Sequence, residues 1–206
     1  MKNKILVLMM LIASLGAFAQ VPKEKMYQDF KNNYDNLSKM MSSTIAKNGK
    51  TATWDWSLNE DAIFNKYIAP HLNIVKVCEA NETTCWNISS YKALSERTPE
   101  TPAGLHKSYI LANGSSLVFT IRNPKCVEEG HTCAFIWLDT NGFEDPNTTG
   151  RDFFKFYIHP KSDEIFPVGY SYKKVPNELS IEKSCSMLST GNYCGAKLLI
   201  EGAMNY

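Results

Sequence analysis

The sequence predicts an α+β domain: a long N-terminal α-helix laid on an antiparallel β-meander and held by disulfides. Three observations carry this. Apolar residues from Met26 to Ile45 recur at three- and four-residue steps, the helical period. Beyond Leu105 the period changes to two, in short runs divided by turn residues. The 6 cysteines, Cys78, Cys85, Cys126, Cys133, Cys185 and Cys194, fall into near-neighbour pairs.

Taken in chain order, residues 1–19 carry Lys2 and Lys4, an apolar run from Ile5 to Gly16, and the small-x-small sequence Ala17-Phe18-Ala19. That pattern is expected to be a secretory signal peptide. Its apolar run falls short of the roughly 20 residues that span a bilayer. Retained rather than cleaved, it would act as an N-terminal anchor, and only then would the chain meet a membrane. Residues 20–206 are expected to form a single domain.

From Pro22 to Asn48 the spacing predicts one helix. Met26, Phe30, Tyr34, Leu37, Met41 and Ile45 make its apolar stripe, with Lys23, Lys25, Lys31, Asn32, Lys39 and Lys47 facing away. Pro22 suits a first turn, and Asn48-Gly49 a left-handed stop. At 1.5 Å per residue the helix is about 40 Å long, so part of it must lie across a sheet. Asn59 to Ala69 predicts a second, shorter helix closed by Pro70. Leu72 to Val77 reads as a brief apolar passage, and Cys78 to Gly104 as a long polar connection.

The strands follow. Ser108–Leu111 and Leu117–Arg122 flank Ala112-Asn113-Gly114-Ser115, a hairpin turn signal. Cys133–Leu138 and Phe153–His159 read as two more, and Ile165–Val168 as a short last one; Ala196–Ile200 is a further apolar run. The short loops between neighbouring cysteines favour sequential pairing, 78 with 85, 126 with 133 and 185 with 194. Such staples belong to an oxidising compartment, so the chain is expected in the periplasm, at the cell surface or secreted. With 22 basic and 21 acidic residues and no basic block, nucleic acid is excluded as a partner.

The densest chemistry lies in LDTNGFEDPNTTGRDFFKF, where Asp139, Asn141, Asp145, Asn147 and Asp152 share one short arc. Such an arc can grip a hard cation, organise a turn through Asx side chains, or carry acid chemistry. An EF-hand is excluded, because Gly142 stands at the fourth loop position and no Glu at the twelfth. Acid catalysis needs a desolvated carboxyl in a cleft, whereas a loop tip is expected to be wet. Neither G-x-S-x-G nor H-E-x-x-H occurs, so no catalytic residues are assigned. Trp54, Trp56, Trp86 and Trp137 could stack sugars or fill core and rim.

Several stretches resemble one family in order: AKNGKTATWDW, IFNKYIAPHLNIVKVC, YILANGSSLVFTI, FIWLDTNGFEDPNTTGRDFFKFYI and CGAKLLIEGAMNY. Together they are similar to bacterial type IV pilin-like and type II secretion pseudopilin-like proteins, over about residues 26 to 206. The most specific piece is D-x-N-G-x-x-x-P-N-x-x-G-x-D-x-F, beginning at Asp139. The family's Gly-Phe-Thr-Leu-x-Glu start is not found in this sequence. The resemblance implies a pilin-like fold and a non-enzymatic role in protein transport, with other pilin-like or secretion-system subunits as partners. It also implies calcium as a candidate ligand of the arc. A secreted binding or adhesion module on the same fold is the alternative.

Overall fold

The computed structural model describes residues 21–126, 131–171, 173 and 176–206. The expected signal peptide or anchor, residues 1–19, lies outside the described residues. Helix α1 spans Lys23–Asn48 and stops at Gly49, whose φ of +79° few other residues tolerate and whose N–H donates to the Ile45 carbonyl at 2.9 Å. Its inward face buries Met26, Phe30, Leu37, Met40 and Met41, together with Asn33 and Thr44. Its outward face carries Lys25–Asp29 and Lys31–Asp35 pairs at 2.7 and 2.6 Å, each contributing a few tenths of a kcal/mol at most.

The second helix is shorter than its sequence suggests. Asn59 caps α2, Glu60–Ile63, by accepting from the Ala62 N–H. The chain then widens into a π turn, Phe64–Ile68, and tightens into a 3₁₀ turn, Ala69–His71. Pro70 explains the change, since it has no N–H to donate and its ring crowds the preceding turn. Thr44 of α1 donates its hydroxyl to the Tyr67 carbonyl at 2.5 Å, joining the two helices.

Among the described residues, six strands follow in sequential, wholly antiparallel order: β1 Ile74–Cys78, β2 Ser108–Leu111, β3 Ser116–Ile121, β4 Ala134–Asp139, β5 Phe153–Ile158 and β6 Phe166–Pro167. The apolar passage after Leu72 is therefore an edge strand. Alternation then sorts the side chains. Leu117 and Phe119, Ile136 and Leu138, and Phe154, Phe156 and Ile158 face α1 in the main core. Phe30 sits at its centre, its ring 4.6 Å from that of Phe154.

The opposite face is also covered. Trp86 and Tyr91, from the polar connection, pack on Val118, Trp137 and Phe153. Two-sided cover explains why CAFIWL and FFKFYI are nearly continuous apolar runs rather than clean alternations. Helices α3, Glu178–Ser184, and α4, Cys194–Glu201, close the chain, α4 against α1, β5 and β6.

All three disulfides form as the spacing predicts: Cys78–Cys85, Cys126–Cys133 and Cys185–Cys194. They place the chain in an oxidising compartment outside the cytoplasm. Among the described residues, no helix is long and apolar enough to cross a membrane.

A candidate cation site in the β4–β5 loop

Asp139 is the last residue of β4, and Asp152 immediately precedes β5. The Thr140 N–H donates to the Asp152 carbonyl at 2.8 Å, closing the sheet end and setting the two acids side by side. Both are 0% exposed. The expectation of a wet loop tip is thus wrong for these two, because the back-face layer folds over them.

Tyr91 supplies the cover. Its hydroxyl donates to Asp139 Oδ2 at 2.6 Å, and the Asn141 N–H donates to Oδ1 at 3.1 Å. Asp152 accepts from the Asn147 N–H at 2.8 Å and the Thr148 N–H at 2.6 Å. Burial pushes the Asp139 carboxyl above the ordinary carboxylate range, and the neighbouring Asp152 charge pushes it further. Asp152 is raised less far, since burial is opposed by the Thr148 and Asn147 amides and the Asn141 side chain. The Tyr91 phenol is raised too, by burial and by the Asp139 charge beside it.

The amides around the pair are incompletely used. Asn141 Oδ1 and Asn147 Oδ1 are both buried without a hydrogen-bond partner, as is Thr149 Oγ1. Asn147 itself is 7% exposed. A buried acceptor left unpaired costs about 1–3 kcal/mol, so these oxygens need a partner. Two carboxylates and two amide oxygens, if brought to one point, would make an all-oxygen donor set of the kind a hard cation takes, with backbone carbonyls and water completing six to eight ligands. Among the described residues, no three His, Cys, Asp or Glu side chains converge on one point. With only two carboxylates, each oxygen of which already accepts a hydrogen bond, a cation here would need the amide oxygens and backbone carbonyls as well.

Asp145 stands apart. Its side chain is exposed, and the loop uses its backbone carbonyl, which accepts from Asn141 Nδ2 at 3.3 Å. The structure thus brings Asp139, Asn141, Asn147 and Asp152 together and leaves the Asp145 carboxyl outside. The Asx-turn reading is realised in the Asn141 N–H to Asp139 bond, two residues apart. Tyr91 escaped the sequence reading because it sits in a stretch with no period.

The loop is braced from two sides. A Cβ on Gly142 would lie 2.7 Å from the Gly114 carbonyl of the β2–β3 turn. A Cβ on Gly191, inside the third disulfide loop, would collide with the Thr149 carbonyl. The four tryptophans form no exposed platform: Trp54 and Trp56 are 4% and 3% exposed, and Trp86 and Trp137 are 7% and 5% exposed. Trp54 stacks on Tyr67 and donates to the Gly49 carbonyl, closing the turn after α1. Comparison with family models, with curated proteins and with solved structures finds no match.

Proposed function

We propose that the chain is an exported, non-enzymatic, pilin-like subunit of a type II secretion or type IV pilus-like system. In this reading it works in the periplasm or at the cell surface, through contacts with other pilin-like or secretion-system subunits. One observation supports the reading: α1 packs Phe30 and Tyr34 on Phe154 and Phe156 of an antiparallel meander, with the D-x-N-G loop tied to the helix through Asn33. A rigid body with a charged helix face and stapled loops is suited to touching other molecules without transforming them.

Calcium would be held by Asp139, Asn141, Asn147 and Asp152. It would displace the proton that the raised Asp139 carboxyl holds and pair the two orphan amide oxygens, fixing the loop in one shape. Calorimetric titration tests this: saturable binding below millimolar calcium is expected, lost in Asp152→Asn. Heat-free titration at millimolar calcium ends the calcium reading.

Assembly is tested separately. A photocrosslinking residue replacing Lys39, on the outward face of α1, should capture a second pilin-like subunit in cells. Recovery of the chain free in the medium, beginning at Gln20 and crosslinked to nothing, overturns assembly in favour of a secreted binding module.

A further inference from the structure

The back face of the sheet is only partly covered. Beyond Trp137, an open cleft of about 760 Å³ runs over β4 and β5. Phe135, Lys155 and Tyr157 form its floor. Tyr170, from the segment after β6, and Asn192 and Tyr193, from the third disulfide loop, form its walls, with Glu100 on the rim. That volume lies within the ~300–1,000 Å³ usual for small-ligand sites.

Its electrostatics are settled internally. Lys155 Nζ lies 2.5 Å from Glu100 Oε1 and 4.8 Å from the ring centroids of both Phe135 and Trp137. Asn192 Nδ2 donates to Glu100 Oε2 at 2.8 Å. The Lys155–Glu100 pair thus carries one charge of each sign. His159, also in the lining, is held below its ordinary value by burial and by the charges of Lys161 and His131, so it adds no charge at neutral pH. A lining with balanced charge gives no reason to draw in a strongly anionic ligand.

What the cleft does offer is ring faces beside unsaturated polar groups. Tyr170, stacked on Phe166 at 6.0 Å between ring centroids, and Tyr193 are half-buried, whereas the Phe135 ring already carries the Lys155 ammonium. Glu100 keeps 49% of its side chain exposed, and a carboxylate accepts about four hydrogen bonds, of which Lys155 and Asn192 account for two. A pyranose has the complementary make-up: an apolar C–H face that stacks on an aromatic ring, and a rim of hydroxyls that both donate and accept.

The geometry points to a neutral saccharide as the ligand of this cleft, stacked on Tyr170 or Tyr193 with its hydroxyls on Glu100 and Asn192. The inference does not depend on assembly or on calcium, since neither supplies a residue to the cleft. Each neighbour is already fixed: Tyr157 donates its hydroxyl to the Tyr170 carbonyl at 2.8 Å, and Cys185–Cys194 closes the loop that bears Asn192 and Tyr193. The site is therefore formed before any ligand arrives, which lowers the ordering cost of binding.

The test is an NMR titration of the ¹⁵N-labelled chain with maltose, cellobiose, lactose and diacetylchitobiose, and with digalacturonate as an acidic arm. At least one neutral disaccharide should shift the amides of Lys155, Tyr170 and Asn192. Glu100→Gln or Tyr193→Ala should weaken that binding tenfold or more. Glu100 is half exposed, so Glu100→Gln keeps the test decisive if Tyr193→Ala fails to fold. No shift with any neutral disaccharide at millimolar concentration overturns the inference. Binding of digalacturonate alone, or wild-type affinity in both variants, overturns it equally.

Discussion

The two faces of the sheet are covered by different kinds of chain. The front is covered by one regular helix, whose apolar side chains meet those of β3, β4 and β5 in a single core. The back is covered by an irregular segment tied by Cys78–Cys85, which contributes Trp86 and Tyr91 and leaves the rest open. The front achieves stability by repetition. On the back, a few large residues and a covalent staple do that work, and both candidate ligand sites lie on that side. The two covers differ in how they serve buried polar groups. A helix satisfies its own backbone and brings an apolar face, whereas an irregular layer can deliver a phenol or an amide to a chosen carboxylate.

The largest expected effect breaks the front. Phe30→Ala empties a fully buried ring site between α1 and β5 and should cost about 3–5 kcal/mol, read as a lower denaturant midpoint for every probe at once. On the back, removing the first staple by Cys78→Ser with Cys85→Ser should cost about 2–3 kcal/mol through greater unfolded-state freedom. Hydrogen exchange should then show residues 79–104 opening while β3 to β5 stay protected. Simultaneous loss of protection on both faces would mean that the two layers form one cooperative unit.

Tyr91 tests the back layer more gently. Tyr91→Phe removes the hydroxyl bonded to Asp139 and should cost about 1–2 kcal/mol without calcium, measured by chemical denaturation. The pH dependence has a definite sign. Both acids have folded-state values raised above their unfolded ones, so the native state binds more protons. Their contribution is complete below about pH 4, the unfolded carboxylate value, and is lost as pH rises through the raised folded values. Without a cation, stability should therefore fall from acid to neutral pH, and Asp139→Asn should flatten that slope. The smallest effect is expected at Asp145→Asn. Its exposed carboxyl takes no part in the pair, so calcium affinity should match the wild type within twofold.

The front was legible in the sequence. Periods of 3.6 and 2 locate α1 and four of the strands, because regular elements repeat their burial along the chain, and Ile165–Val168 marks a fifth, β6. Asn33 and Thr44 were not legible, since polar residues on a buried face look like interruptions until their partners are known. β1 was missed because Val75 and Val77 lie at a sheet edge, 62% and 53% exposed, so burial imposes no pattern there. At the site, the arc announced its oxygen donors but not its burial. Local spacing says nothing about Tyr91, which arrives from 48 positions away. Nor could it separate Asp145 from Asp139 and Asp152, since the three differ only in what folds over them.

Asn33 sets the register of α1 on the sheet. An oily helix resting on an oily sheet can slide by a turn at modest cost, because one greasy contact substitutes for another. Asn33 removes that latitude: its amide donates to the Thr140 carbonyl at 3.3 Å, and its oxygen accepts from Asn113 Nδ2 at 3.0 Å. The side chain acts as a latch pin between the helix, the hairpin tip and the start of the β4–β5 loop. A displacement of α1 along its axis would therefore load Thr140, next to Asp139, so helix and loop are mechanically geared together.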